Sequence, residues 1–232
     1  MKRIQSIERA ILILEELSVS DTPLSLSYLS EKLSLKKSTL HGILNTLSYL
    51  GYVNNQHHLY TIGTGFFGFH PYLDAYYERI KIKFLNHLDT VSQMTSDLVL
   101  LSIPCGWNEY IYIEGFNQNN SLNKTDFIGR KEKLNATPTG KVIRAFCNKY
   151  DIKNSRKLNL DIFQEINNIK KEGYATDIFE QCSDICHISA PLYDKGEFIA
   201  AISLVGLKEQ LRKRPLLQHL NILKGTSSLY VR

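Results

Sequence analysis

Residues 23–62, PLSLSYLSEKLSLKKSTLHGILNTLSYLGYVNNQHHLYTI, decide the fold of the first part of this chain. Within them, apolar residues recur at the three- and four-residue spacing that places side chains on one face of a helix. One set is Leu26, Leu29 and Leu33, and the other is Leu40, Ile43, Leu44, Leu47 and Leu50. Residues 34–36 separate the sets, and a break of that length joins two helices at a steep angle. The pattern predicts two short helices that bury their apolar faces against each other.

A small hairpin is predicted after the second helix. Gly51 can take the left-handed conformation in which helices often end. Tyr52 and Val53 are predicted to form a strand, residues 54–58 a polar turn, and residues 59–62 the return strand. Upstream, a third helical stripe is formed by Ile4, Ile7, Ala10, Ile11, Leu14 and Leu17. Three helices followed by a hairpin make a winged helix-turn-helix, so double-stranded DNA is the expected partner.

The second helix of the pair has a polar face opposite its leucines. This face carries Lys36, Lys37, Ser38, Thr39, His41, Gly42, Asn45 and Thr46. Cationic, hydroxyl and amide side chains suit phosphates and base edges. A solvated helix face has a similar composition, and the hairpin that follows is what favours the DNA-binding interpretation.

Composition indicates a globular chain of one large or two ordinary domains. The 232 residues are 43% hydrophobic and 22% charged, which is normal for such proteins. No apolar run approaches the roughly eighteen residues of a membrane span, and the N-terminal segment interrupts its apolar run with glutamates. We therefore expect a cytoplasmic protein with no membrane association, whose cysteines are buried thiols rather than a disulfide framework.

The charge of the first part of the chain is small. The whole chain has a net charge of +5, but residues 1–63 hold six Lys or Arg and five Asp or Glu. Affinity for DNA scales with the number of neutralised phosphates, so one such domain should bind weakly at physiological salt. At least two copies must act together, and we expect a dimer or a larger homo-oligomer.

An aromatic-rich segment with a helical period on either side of Pro71 follows the hairpin. It predicts a linker helix and then a second helix. Its aromatic side chains suit either a core or burial against a second chain. They are Phe66, Phe67, Phe69, Tyr72, Tyr76 and Tyr77.

From Asp97 onward the pattern changes to strands. Strands are predicted at residues 98–103, 109–116, 174–177, 187–193 and 198–207, and helices at 139–148 and 162–171. Because strands and helices do not alternate strictly, an α+β fold with an antiparallel sheet is expected. The predicted organisation is a winged helix-turn-helix over 1–63, a linker helix over 64–78 and a second domain over 79–232.

Two motifs could carry chemistry. Thr137, Pro138, Thr139, Gly140 and Lys141 lack the further glycine and the hydroxyl residue of a phosphate loop. They predict instead a turn into a helix whose N–H groups either hold a small anion or are simply capped.

The second motif is a group of potential metal ligands. Cys182, Cys186 and His187 lie close together, with Asp177 and Asp184 nearby, but a second ligand pair for zinc is missing. No motif of a hydrolase, metalloprotease or dinucleotide enzyme is present. We expect neither a cofactor nor enzyme activity.

Several segments, in order, carry a resemblance that covers nearly the whole chain. Besides residues 23–62, they are QSIERAILILEEL at 5–17, LNATPTGKVIRAF at 134–146, KKEGYATDIFE at 170–180 and HISAPLYDKGEFIAAISLVG at 187–206. Together they resemble the isocitrate lyase regulator (IclR) family of bacterial transcription factors. The resemblance implies a winged helix-turn-helix, a linker helix with dimer contacts, and a GAF-like effector domain that often assembles as a tetramer.

The resemblance also implies site residues. DNA contacts would come from Lys36, Lys37, Ser38, Thr39, His41, Gly42 and Asn45, with the wing around His57 and His58. The effector would bind near Thr137, Pro138, Thr139, Asp177, Cys186, His187, Ser203 and Val205.

Three positions depart from the family pattern. Gly42 stands where many members carry Arg, His187 where Cys is frequent, and Val205 where some organic-acid binders have a hydroxyl. A ligand other than a small keto acid is therefore possible.

The expected function is a sequence-specific regulator, repressor or activator, that binds a pseudo-palindromic operator and responds to a small effector, an organic acid by family precedent. One alternative is a small-molecule sensor or enzyme-like module with a vestigial winged domain. Another is a thiol or metal sensor that uses Cys182, Cys186 and His187.

Overall fold

The computed structural model describes residues 3–95, 97–117, 122–150, 160–178, 184–213 and 216–227. The chain divides into two compact units, Met1–Tyr76 and Tyr77–Arg232. No helix in these described ranges is both long enough and apolar enough to cross a membrane.

The first unit contains the three predicted helices. They are α1 (Gln5–Ser18), α2 (Leu26–Lys32) and α3 (Lys37–Tyr49). Ile13 of α1, Leu29 of α2 and Leu40 and Leu44 of α3 are completely buried in one apolar core. The chain turns between α2 and α3 at Ser34, whose φ is 53°. The helical stripes thus bury the faces that their spacing predicts.

A three-stranded antiparallel sheet completes this unit. Its strands are β1 (Leu24–Ser25), β2 (Val53–Gln56) and β3 (Leu59–Ile62), in the order β1-β3-β2. The predicted five-residue polar tip is wrong, because residues 54–56 pair with β3 and only His57 and His58 form the turn. Strand β1 was not predicted, since two residues are too short to show strand alternation.

Glycines allow a close approach at the base of the hairpin. Gly51 ends α3 with a φ of 81°, as expected. A Cβ atom on Gly63 would lie 2.3 Å from the carbonyl oxygen of Gly51, so no larger residue fits without a shift of the backbone. The two ends of the hairpin are therefore held together tightly.

The aromatic segment forms a short 3-10 helix and one long α-helix instead of two α-helices. A 3-10 helix at Thr64–Gly68 is followed by α4 (His70–Thr95). The linker helix predicted before Pro71 is thus reduced to a 3-10 helix. Pro71 is the second residue of α4, where its missing N–H costs no hydrogen bond.

The second unit is built on a six-stranded antiparallel sheet. Its strands are β4 (Leu98–Cys105), β5 (Glu109–Phe116), β6 (Lys131–Lys133), β7 (Ala175–Thr176), β8 (Ile185–Asp194) and β9 (Glu197–Leu207), in the order β6-β5-β4-β9-β8-β7. The helices are α5 (Pro138–Phe146), α6 (Leu160–Glu172), α7 (Lys208–Arg212) and α8 (Leu216–Ser227). The predicted α+β class is confirmed, whereas β6, α7 and α8 were not predicted.

The two faces of this sheet pack against different helices. On one face, Val99 and Leu101 of β4 join Phe84 of α4 and Leu223 of α8 in a buried cluster. On the other, the alternate residues Leu98 and Leu100 pack with residues of α5 and α6. The second face, covered by α5 and α6, carries the polar groups described below.

Candidate nucleic-acid interface and effector site

The polar face of α3 is accessible as the sequence predicts. Lys36, Lys37, Ser38, His41, Gly42 and Asn45 are exposed, and Thr39 is half-buried. Two contacts organise the face: Asn45 Nδ2 lies 3.2 Å from His41 Nδ1, and Lys37 Nζ donates to Ser27 Oγ of α2 at 3.0 Å. A row of hydrogen-bonding groups is therefore presented from the start of α3 to its middle.

The hairpin tip is a tight two-residue turn. His57 and His58 have φ values of 52° and 63°, and both side chains are exposed. The side chain of Asn54 is held within the hairpin, because its Nδ2 donates a hydrogen bond to the carbonyl oxygen of Ile62. Beyond the fixed Asn54, the tip presents the side chains of Asn55, Gln56 and the two histidines.

An apolar groove of about 750 Å³ lies within the first unit, between α1, α3 and the 3-10 helix. Ile7 and Ile11 of α1 contribute to it and are 58% and 47% exposed. Phe66 and Phe69 line its other side. Exposed apolar surface of this extent is typical of a protein–protein contact.

Three hydroxyl groups form a ring on the covered face of the large sheet. Thr139 Oγ1 lies 3.0 Å from Ser189 Oγ and 2.8 Å from Ser203 Oγ, and the two serines are 3.0 Å apart. All three residues are completely buried. The ring joins the first turn of α5 to the central strands β8 and β9.

A second set of hydroxyl groups lies near the same end of α5. Tyr110 OH is 2.7 Å from both Tyr112 OH and Thr137 Oγ1. Burial is the main cause that raises the pKa of both tyrosines, so their phenols stay neutral. Thr137 Oγ1 also accepts a hydrogen bond from the N–H of Gly140 and thereby caps α5.

The cap limits what the start of α5 can bind. Pro138 has no N–H, and the N–H of Gly140 is already used by Thr137. A Cβ on Gly140 would lie 2.6 Å from the carbonyl oxygen of Leu134, so glycine is needed for this close packing. Of the two alternatives that the sequence left open here, the structure contains the cap.

His187 of β8 and Asp177, which follows β7, lie near one edge of the large sheet. Asp177 Oδ1 accepts the backbone N–H of His187 at 2.6 Å, and His187 Nδ1 is 3.5 Å from Asp177 Oδ2. Burial acts to raise the pKa of Asp177, but the hydrogen bonds and charge of His187 outweigh it and lower that pKa. The imidazole is 8% exposed, and its Nε2 has no hydrogen-bond partner among the described residues. This nitrogen can donate a hydrogen bond to a bound molecule or accept one from it, depending on the tautomer of the ring.

The remaining predicted effector residues separate onto two faces. Val205 pairs with His187 and packs on the same face, against α5 and α6. Cys186 is a correction: it lies on the opposite face, in the cluster with α4 and α8, because neighbouring strand residues point to opposite sides. The Cys186 side chain therefore packs away from the face that carries His187, and its thiol lies 3.9 Å from the carbonyl oxygen of Asp177.

The alternative metal or thiol site would use Cys182, Cys186 and His187, but Cys186 and His187 point to opposite faces of the sheet. Cys182 lies outside the described residues. Within the described part of the chain, no group of three or more His, Cys, Asp or Glu residues could hold a metal ion.

Each of the two units matches a known protein-domain family. Residues 6–57 match the IclR helix-turn-helix domain, and residues 75–229 match the bacterial transcriptional regulator IclR C-terminal domain. The chain belongs to the IclR family. Its helix-turn-helix is accordingly a DNA-binding domain, and IclR-family members are transcriptional regulators and not enzymes.

Curated relatives of this IclR-family regulator extend over most of its length. It is 28% identical to the glycerol operon regulatory protein of Streptomyces coelicolor, covering 90% of this chain and 87% of that protein. It is 26% identical to the HTH-type transcriptional regulator XynR of Escherichia coli, with 91% and 89% covered.

Solved structures share the fold. The IclR protein of Thermotoga maritima superposes with a TM-score of 0.59 at 22% identity, with 97% of each chain covered. An IclR homolog from Microbacterium hydrocarbonoxydans, complexed with 4-hydroxybenzoate, gives a TM-score of 0.68 at 16% identity, again with 97% of each covered.

Sequence reasoning missed several polar groups of this IclR-family site. Ser189 lies two residues after His187 on the same strand, and Tyr110 and Tyr112 are likewise two apart. Strand periodicity could have placed Ser189 beside His187. Ser102 of β4 was also missed: it is completely buried, and its hydroxyl has no hydrogen-bond partner in the part of the chain that the structure describes.

Proposed function

We propose that this IclR-family regulator binds a pseudo-palindromic operator as a dimer or larger homo-oligomer, and that a small effector in its second unit controls this binding in the cytoplasm. The observation that carries the proposal is the exposed polar face of α3, backed by a buried leucine core and followed by a hairpin. Such a helix fits the major groove.

The proposed DNA contacts are divided between two kinds of side chain. Lys36 and Lys37 at the start of α3 would contact phosphates. Hydroxyl, amide and imidazole groups further along, at Ser38, Thr39, His41 and Asn45, are suited to base edges. Gly42 adds no side chain, and the wing residues His57 and His58 would extend the contact.

Assembly is supported by charge and by apolar surface. The first domain is almost neutral, so two copies are needed for useful affinity at physiological salt. Ile7 and Ile11 of α1 are 58% and 47% exposed, and a second copy would bury this apolar side of α1. Two recognition helices would then face successive major grooves.

The effector site is proposed on the covered face of the large sheet. Thr137, Pro138 and Thr139 at the start of α5 lie there together with Asp177, His187, Ser203 and Val205. An effector that binds one arrangement of the subunits better would shift the population towards it and change operator affinity. Names of relatives suggest two probes, 4-hydroxybenzoate as an organic acid and glycerol as a neutral polyol.

A mobility-shift titration on the DNA upstream of the protein's own gene tests this function. We expect retarded complexes that survive excess unrelated DNA and weaken as salt rises. Titration with each probe should change the affinity. Binding without any sequence preference, with and without the probes, would overturn the proposal.

The rival hypothesis, a small-molecule sensor with a vestigial winged domain, is favoured by the nearly neutral first domain and by Gly42. It predicts that a probe stabilises the protein against heat while no DNA sequence is preferred. The same titration, combined with thermal denaturation, separates the two hypotheses.

A further inference from the structure

A row of three polar side chains runs along the exposed face of α3. Lys37, His41 and Asn45 follow one another at four-residue spacing, so they lie on the same side of the helix. All three are exposed. Lys37 Nζ donates to Ser27 Oγ of α2 at 3.0 Å, whereas His41 and Asn45 contact each other. The row therefore begins with a cation and continues with an imidazole–amide pair.

The neighbouring row offers fewer polar atoms to a partner. It consists of Ser38, Gly42 and Thr46. Gly42 has no side chain, and Thr46 Oγ1 donates a hydrogen bond to the carbonyl oxygen of Gly42 at 3.0 Å. In the middle of α3, the longest exposed polar side chains are therefore those of His41 and Asn45.

The contact between His41 and Asn45 fixes the tautomer of the imidazole. Asn45 Nδ2 lies 3.2 Å from His41 Nδ1. An amide nitrogen donates hydrogen bonds and does not accept them, so Nδ1 is the acceptor and carries no hydrogen. The hydrogen of the neutral ring is then on Nε2.

The same contact orients the amide group of Asn45. One of its two N–H groups is used by His41, and the other N–H remains together with Oδ1. The terminal torsion of an exposed asparagine has two broad and roughly equivalent orientations. The hydrogen bond to His41 selects one of them, so the remaining donor and acceptor are presented in a fixed order.

A donor and an acceptor side by side match one base in the major groove. Adenine offers the N7 acceptor next to the N6 amino donor, and an asparagine amide can engage both. Guanine offers two acceptors and would place its O6 against Oδ1 of the amide. Thymine offers one acceptor and cytosine one donor, so each of them satisfies only half of the amide.

We propose that Asn45 is a specificity-determining residue that reads adenine through Oδ1 and its second N–H, and that His41 is a positioning residue that holds this amide from the preceding turn of α3. This inference rests on the proposed function, because it needs α3 in the major groove of an operator with a defined sequence.

The test begins with an operator obtained by selecting random DNA duplexes on the purified full-length protein. Each adenine of a half-site is replaced in turn by 7-deazaadenine, which lacks the N7 acceptor, or by purine, which lacks the amino group at N6. At one adenine, we expect each analogue to weaken binding by the wild type about fivefold or more, because each removes one of the two hydrogen bonds.

Two variants and their combination separate reading from positioning. Asn45→Ala should abolish the penalty of both analogues at that adenine. His41→Ala keeps the amide but removes its acceptor, so the penalty should fall to about twofold. In the Asn45→Ala background, His41→Ala should change the penalty no further, because the two effects are coupled. Alanine favours the helix at both positions, so the variants should be at least as stable to heat as the wild type.

Lys37→Ala is the matched control from the same row. It should weaken binding to the unmodified operator and to both analogues by the same factor. It should also reduce the dependence of log affinity on log salt by about 0.9 for each phosphate that the lysine neutralises in the wild type. Asn45→Ala should leave that salt dependence unchanged.

The outcomes distinguish this inference from the proposed function. The inference is overturned if no adenine of the operator is sensitive to both analogues, or if Asn45→Ala keeps their penalties. It is also overturned if His41→Ala weakens binding to every duplex by the same factor, because His41 would then act without positioning Asn45. If selection yields no sequence preference at all, the proposed function itself fails.

Discussion

Thr139 of α5 and Ser203 of β9 lie 2.8 Å apart through their hydroxyl oxygens, although 64 residues separate them in the sequence. Ser189 completes the ring with both. All three are fully buried, and each hydroxyl finds hydrogen-bond partners in the other two. The start of α5 is thereby tied to the middle of the sheet by polar contacts inside an apolar surrounding.

Replacing Thr139 by valine should destabilise the second unit. The shape is kept, but two buried hydrogen bonds are removed, and we expect the free energy of unfolding to fall by about 1 to 3 kcal/mol. Urea denaturation followed by circular dichroism measures this. Thr90→Val is the control, because Thr90 is exposed on α4 and the change should stay within about 0.5 kcal/mol. Equal effects of the two substitutions would contradict the importance of the ring.

His187→Ala should reduce the effector response and leave operator binding by the unliganded protein nearly intact. The Nε2 of this imidazole has no partner among the described residues and lies on the proposed effector face, while no DNA contact is proposed for His187. The measurement is a mobility shift with 4-hydroxybenzoate or glycerol, whichever alters the wild-type affinity. Cys186→Ala is the control, since Cys186 faces the other side of the sheet. Parallel loss of DNA binding in folded His187→Ala protein would refute this division of roles.

The sequence predicted those parts of the fold that show a regular apolar period. Leu40, Leu44 and Leu47 at helical spacing give the buried side of α3, and alternating Tyr and Ile residues give β5. Elements without such a period were not predicted. Strand β1 is two residues long, and β6 consists of Lys131, Glu132 and Lys133, whose charges show no buried face.

The set of predicted effector residues contains one residue on the wrong face and one contact that the sequence did not show. The family resemblance placed Cys186 with His187 at the effector site, although neighbouring residues on a strand point to opposite faces. Thr139 and Ser203 were both predicted for the effector site, but their direct hydroxyl contact was not, because it depends on how α5 packs across the sheet. The position of α5 on the sheet is a tertiary feature that the local pattern of one sequence does not specify.

Two helix glycines should respond oppositely to alanine. At Gly140 a Cβ would lie 2.6 Å from a backbone oxygen, so Gly140→Ala should destabilise the second unit by about 2 kcal/mol or more. At Gly42 a Cβ meets nothing within 4 Å, so Gly42→Ala should stabilise α3 by up to about 1 kcal/mol. Thermal denaturation of the two variants tests the pair. Destabilisation by Gly42→Ala would show that α3 needs glycine for another reason.

Arginine at position 42 should strengthen DNA binding. The same open space accepts the longer side chain, and the exposed face of α3 would gain a cation that can reach a phosphate or a guanine. We expect Gly42→Arg to raise affinity and to steepen the salt dependence by about 0.9 for each further phosphate that it neutralises. Gly42→Gln, which adds length without charge, is the control. Unchanged affinity and salt slope in Gly42→Arg would place this position away from DNA.

Stability should fall with acidification because of His87 on α4. Burial lowers the pKa of His87 from 6.5 to about 4, and the residue is 7% exposed. Since the folded pKa lies below the unfolded one, the unfolded chain takes up the proton first as pH falls. The stabilisation is therefore complete above about pH 6.5 and is lost towards pH 4, with a loss of about 2 kcal/mol between pH 7 and pH 5.

Urea denaturation at pH 7 and pH 5 measures this loss in the wild type and in His87→Gln, whose side chain does not titrate. The variant should lose about 2 kcal/mol less than the wild type over that interval. Equal acid sensitivity of His87→Gln and the wild type would mean that the buried imidazole of α4 does not cause the loss.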